Sequence, residues 1–148
     1  MKRINSFAAL AAVLLAASCT LSQTALPCVI SAPRACIGAK ENRFGAAGIE
    51  FDFTNTSEKT ACTVEISCYL YPAKDEPEFT KGSNHVTATI ECLIPPGGTE
   101  TLDVSLDKAI ASVPARSFLI DFFTVTEMCF TDGSSLEDHS SKYFTRNY

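Results

Sequence analysis

Residues 49–71 read IEFDFTNTSEKTACTVEISCYLY, and no other stretch limits the fold as tightly. Ile49, Phe51 and Phe53 fall on one side of an extended chain, with Glu50, Asp52 and Thr54 on the other. After a polar interval, Cys62, Val64, Ile66, Cys68 and Leu70 share a side, opposite Thr63, Glu65, Ser67, Tyr69 and Tyr71. Strict period-two alternation places one face of a strand in a core and the other in solvent. Asn55 to Thr60 is rich in side chains that close local turns. The stretch is expected to form a β-hairpin with Phe51, Phe53, Val64 and Ile66 in the core.

The rest of the chain repeats the pattern. A first strand is expected from about Arg34 to Lys40, followed by a turn through Gly45 and Gly48. Val86, Ala88, Ile90 and Cys92 alternate with Thr87, Thr89 and Glu91 until Pro95-Pro96-Gly97-Gly98 stops the run. Leu102, Val104 and Leu106 mark a further strand. Ser117 to Thr131 is rich in β-branched and aromatic residues, but Phe122 and Phe123 are adjacent. A bulge that sets Phe118, Ile120 and Phe122 inward with Val125 would restore the period. Asp132-Gly133 signals a hairpin turn. Pro72–Asn84 reads as a charged loop with room for a short edge strand, and Asp107–Arg116 as a crossing with at most one helical turn. Beyond Leu136 the chain is polar, a last strand or a surface segment. The fold class is all-β, a sandwich of six to eight strands.

The N-terminus reads as a targeting segment rather than part of that fold. Lys2 and Arg3 precede an apolar run, Phe7–Ala17, which is too short to span a bilayer. Leu14-Leu15-Ala16-Ala17-Ser18-Cys19 resembles the lipobox of bacterial lipoproteins in its relaxed Gram-negative or spirochaetal form, with Ala16 where Leu is usual. The resemblance implies cleavage after residue 18 and lipidation of Cys19. More than one acyl chain on that cysteine would anchor the chain stably to a membrane. Thr20 rather than Asp after the cysteine implies passage to the outer membrane. The resulting division is a signal peptide at 1–18, a lipidated tether at 19–33 and a β-sandwich domain at 34–148.

Removing residues 1–18 takes Lys2 and Arg3 with it, so the net charge moves from −5 to −7. Net negative charge argues against nucleic acid as a partner, since phosphates repel it. Six cysteines remain beyond Cys19: Cys28, Cys36, Cys62, Cys68, Cys92 and Cys129. An even set in an exported chain makes all of them candidate disulfide cysteines, with fifteen possible connectivities. Buried free thiols are the alternative. Cys62 and Cys68 lie six positions apart, so in one continuous strand they stand about 20 Å from each other and cannot bond.

Phe51-x-Phe53-x-Asn55-x-Ser57-x-Lys59-Thr60, the strand ending Tyr69-Leu70-Tyr71, the Pro95–Gly98 turn and the closing Phe130-Thr131-Asp132-Gly133-Ser134 resemble small immunoglobulin-like domains of bacterial lipoproteins and cell-envelope proteins. The resemblance spans roughly residues 34–135. It implies an immunoglobulin-like sandwich that serves as a spacer or binding module. The chain contains no Trp, and its cysteines do not follow the antibody arrangement, so no antibody-type disulfide is implied.

Chemistry-bearing motifs are sparse. His85 and His139 accompany no nucleophile motif and read as solvated. No closely spaced Cys and His pairs suggest a metal site, and no cofactor motif is present. Glu50, Asp52 and Glu65 fall on outward faces and read as solvated carboxylates. Tyr69 and Tyr71, with Glu65 on the same outward face, form the candidate binding face, since Tyr is favoured in recognition surfaces. The expected function is a non-catalytic, lipid-anchored binding or structural protein of the cell envelope, with an envelope or extracellular protein or glycan as partner. The alternative is an envelope enzyme or inhibitor with its site in the loops 72–84 and 107–116.

Overall fold

The computed structural model describes residues 26–38 and 45–138, and the backbone of 144–145. The leader 1–18, Cys19 and His139 lie outside the described residues. The strands, in chain order, are β1 (Cys28–Ile30), β2 (Arg34–Ile37), β3 (Ala47–Asn55), β4 (Ala61–Tyr71), β5 (His85–Ile94), β6 (Thr99–Ser105), β7 (Leu119–Phe130), β8 (Ser135–Glu137) and β9 (Phe144–Thr145). They form two antiparallel sheets. In the first, β3 pairs with β6 on one side and, on the other, with β1 and β2 placed end to end. In the second, β4 lies between β5 and β7, and β8 and β9 follow one another along β7.

The two inner faces pack together as a β-sandwich. Ile49, Phe51 and Phe53 come from β3, and Val64, Ile66 and Leu70 from β4, all fully buried. Across the sheets the Phe51 and Phe123 rings meet edge to face with centroids 4.8 Å apart, an arrangement that the ring quadrupoles favour. The alternation expected for Phe51, Phe53, Val64 and Ile66 is thus the core of the molecule.

The expected hairpin is not formed. β3 and β4 belong to different sheets, and the chain between them crosses from one to the other. Period two specifies which face is inward, not whether two inward faces lie side by side or opposite. Here they lie opposite. The crossing starts at Asn55, a fully buried polar residue. Its amide nitrogen donates to the carbonyls of Lys59 (2.7 Å) and Ile94 (2.8 Å). Its side-chain oxygen accepts from the backbone N–H and the hydroxyl of Ser57 (3.0 and 2.6 Å). Its own N–H donates to Gly98, and its carbonyl accepts from Gly97. One side chain therefore closes the β3–β4 crossing and holds it to the β5–β6 turn. That turn is sharp because Gly97 takes a positive φ of 73° and the Gly98 N–H returns to the Pro95 carbonyl.

The sheet begins earlier than the boundary expected at residue 34. Cys28–Ile30, within the stretch read as tether, pairs with residues 53–55. Leu26 and Pro27 also accept hydrogen bonds from Thr56, through its hydroxyl and its N–H respectively. Cys62 departs from expectation as well. The pairing of β4 shifts between Ala61 and Thr63 on both flanks. Ala61 takes the buried position, and Cys62 is half-buried instead of sharing the core face. The six candidate disulfide cysteines are all free thiols in this structure. Cys28, Cys36 and Cys68 are buried, while Cys62, Cys92 and Cys129 are partly exposed.

Candidate binding face

The outer face of the second sheet carries the residues singled out by sequence. Tyr69 on β4 pairs in register with His85 on β5 and Asp121 on β7. Its ring lies 4.9 Å from the His85 ring and 6.1 Å from that of Phe122. Two residues on, Tyr71 is set beside Leu119. Tyr69, Tyr71, Leu119 and Phe122 are all exposed, Phe122 to 52%. The result is an aromatic and apolar patch edged by His85, Ser67 and Asp121. Glu65 stands on the same face but is engaged elsewhere: its carboxylate accepts from the Thr126 hydroxyl at 2.7 Å.

Phe122 reaches the patch by a backbone device. Ser67 pairs with Thr124 and Tyr69 with Asp121, so β7 places two residues, Phe122 and Phe123, opposite Cys68 alone. Phe122 adopts a φ of 48°, a left-handed conformation uncommon for a bulky residue. The bulge expected in this strand is present, but it sends Phe123 inward against Phe51 and turns Phe122 out. Only one of two adjacent aromatics can follow the inward period, and it is Phe123 that packs against Phe51. Sequence reasoning missed Phe122, Leu119 and His85 as members of the patch. The Phe-Phe pair was the signal, since a bulge there had to turn one ring out.

His85 contacts a hydroxyl: the Ser67 Oγ and His85 Nε2 are 2.7 Å apart. The pair lies on the open outer face of the sheet, with His85 at the start of the edge strand β5. Among the described residues no group of three or more His, Cys, Asp or Glu is placed to hold a metal ion.

The loops 72–84 and 107–116 pack on each other. Thr80 and Ile110 form a bridge, Ala111 donates its N–H to the Phe79 carbonyl, and the Phe79 and Phe118 rings lie 5.2 Å apart. Between them is a cavity of about 70 Å³ lined by Pro72, Pro77, Val113 and Pro114 and by Arg116 and Glu76, which form an ion pair at 3.3 Å. At the other end of the sandwich, Lys59 is held by Asp132 and Ser134, both at 2.8 Å, above the Phe130 ring.

Comparison with protein-family models, with curated proteins and with solved structures finds no significant match to this chain.

Proposed function

We propose that the chain is a non-catalytic binding protein of the cell envelope, anchored by lipid on Cys19 and directed to the outer membrane. Its partner is an envelope or extracellular protein or glycan, held on the outer face of the β5-β4-β7 sheet. The observation that carries the binding role is the exposed cluster of Tyr69, Tyr71, Leu119 and Phe122. Strain retained to place a large ring in solvent suggests a use for that ring. Strand order supports an immunoglobulin-like reading. With β1 and β2 as A, β3 as B, β4 as C, β5 as C′, β6 as E, β7 as F and β8 and β9 as G, sheet A-B-E faces sheet C′-C-F-G.

The binding role is tested by purifying the tagged full-length protein from envelope extract in detergent, beside Tyr69→Ser and Phe122→Ser variants. A partner retained by the wild type and lost from both folded variants is the expected result. An identical set of proteins and glycans with all three would overturn the assignment to this face. For the anchor, Cys19→Ser should abolish fatty-acid labelling and release the protein from membranes. A second reading, an enzyme or inhibitor, has in its favour the apolar cavity between the loops 72–84 and 107–116, with Arg116 and Glu76 in its lining.

A further inference from the structure

Three thiols sit at one end of the second sheet, on three adjacent strands. Cys62 belongs to the central strand β4, Cys92 to β5 and Cys129 to β7. Strand pairing aligns them. Ala61 pairs with Phe130 and Thr63 with Cys129, which leaves Cys62 as the extra residue of a bulge relative to β7. The Thr63 hydroxyl lies 3.8 Å from the Cys62 sulfur and also hydrogen-bonds the Cys129 sulfur. Two sulfurs therefore flank one hydroxyl on the outer side of the sheet. Across a bulge two residues of one strand oppose one of its neighbour, so Cys62 shares with Thr63 the place opposite Cys129, and a disulfide there needs Cα atoms about 4.4–6.8 Å apart. Cys92 is placed differently. Its thiol donates to the Ala61 carbonyl at 3.8 Å and its side chain packs against the core.

We infer that Cys62 and Cys129 form a redox-active pair that closes into a cross-strand disulfide when the protein meets a disulfide oxidant. In the first step one thiol loses its proton, and its sulfur attacks the oxidant. An S–S bond to the oxidant forms, the oxidant's own S–S bond breaks, and half of the oxidant leaves as a thiol carrying that proton. The second protein thiol then gives up its proton and attacks the protein-bound sulfur. This forms the Cys62–Cys129 bond and releases the other half of the oxidant as a thiol. Two protein thiols are oxidised and one disulfide is reduced, with both protons and both electrons on the departing thiols. The order of attack does not change the balance. Cys92 is the less reactive neighbour, because burial first, and then the charges of Glu100 and Cys62, push its thiol up to about 11. Cys129 is raised as well, chiefly by desolvation. Cys62 and Cys129 are both partly exposed, so an exchange partner can dock on this face.

The full-length protein, reduced and then treated with glutathione disulfide while folded, tests this. Free thiols are alkylated, and the chain is cut with trypsin and a glutamyl endopeptidase. Cleavage after Lys59 and Glu65 separates Cys62 from Cys68. A dominant peptide linking Cys62 to Cys129, with Cys92 alkylated, is expected, and it should be absent from Cys62→Ser. Cys62 linked mainly to Cys92 would overturn the pairing. So would a folded protein whose Cys62 and Cys129 stay alkylatable after oxidation, or a Cys62→Ser variant that still loses two hydrogens.

Discussion

The Asn55 amide nitrogen donates to the Ile94 carbonyl at 2.8 Å, joining the end of β3 to the end of β5 across the sandwich. Because Asn55 is fully buried and all its side-chain hydrogen-bonding positions face partners, no water need enter the crossing. Asn55→Ala removes the buried donor to the Ile94 carbonyl, whereas the Ser57 hydroxyl still reaches the Lys59 carbonyl at 3.1 Å; it should cost about 1–3 kcal/mol, the range for one buried unsatisfied group. Asn55→Asp should fare no better, as it faces carboxylate oxygen toward two carbonyls. Urea unfolding checks both. Thr99→Ala, which removes an exposed hydroxyl pair with Thr54 at 2.8 Å, should change stability by no more than about 1 kcal/mol.

Adjacent phenylalanines should behave as opposites. Phe123→Ala opens the core beneath Phe51 and should lose about 3–5 kcal/mol, as should Phe53→Ala. Phe122→Ala should stay within about 0.5 kcal/mol of wild type. Phe122→Gly should be more stable than Phe122→Ala by about 1 kcal/mol, because glycine accepts a φ of 48° freely. Equal losses at 122 and 123 would mean that the bulge is misplaced.

Acid should weaken one corner of the fold in a defined window. The Lys59 ammonium, and then the hydroxyl and N–H of Ser134, hold the Asp132 carboxyl well below its ordinary range. A carboxyl lowered in the folded state adds stability that is fully present above its unfolded pKa near 3.8 and fades as pH falls toward its folded value. The wild-type urea midpoint should therefore drop more steeply below about pH 4 than that of Asp132→Asn. The two curves should keep a constant offset between about pH 5 and pH 8.

Thiol labelling should divide the cysteines into two sets. Burial pushes the Cys28 and Cys68 thiols up to about 12, with the Asp138 charge adding to the effect on Cys28. In the reduced protein at pH 8, iodoacetamide should modify Cys62 and Cys129 before unfolding, and Cys28 and Cys68 only after it. Mass spectrometry of the digested chain distinguishes the sets.

How much of this was legible beforehand depends on which kind of information each residue carries. Phe51, Phe53, Val64 and Ile66 announce themselves, because alternation is a local property of a strand. The partner of a strand is not local, and residues 49–71 look the same whether the crossing folds back within a sheet or steps over to the opposite one. Asn55 was readable as a turn former, but its burial depends on Ile94 and Lys59 arriving around it. The candidate face was partly visible. Tyr69 and Tyr71 follow directly from the period, whereas Phe122 and Cys62 depend on bulges whose positions are set by packing between strands. Glu65 shows the converse, correctly placed by period yet committed to Thr126.

The lengths of the outermost strands bear on how copies of this protein can meet. Cys28 feels the charge of Asp138, and β2 touches β7, so the broken edges β1–β2 and β8–β9 lie on one flank. Each of their segments has four residues or fewer. The opposite flank carries the edges β5 and β6, of ten and seven residues. Strand addition needs a long run of free backbone groups, so among the described edge strands β5 and β6 offer the longest template for it. Two copies that met there would pair edge to edge and extend each sheet across the pair.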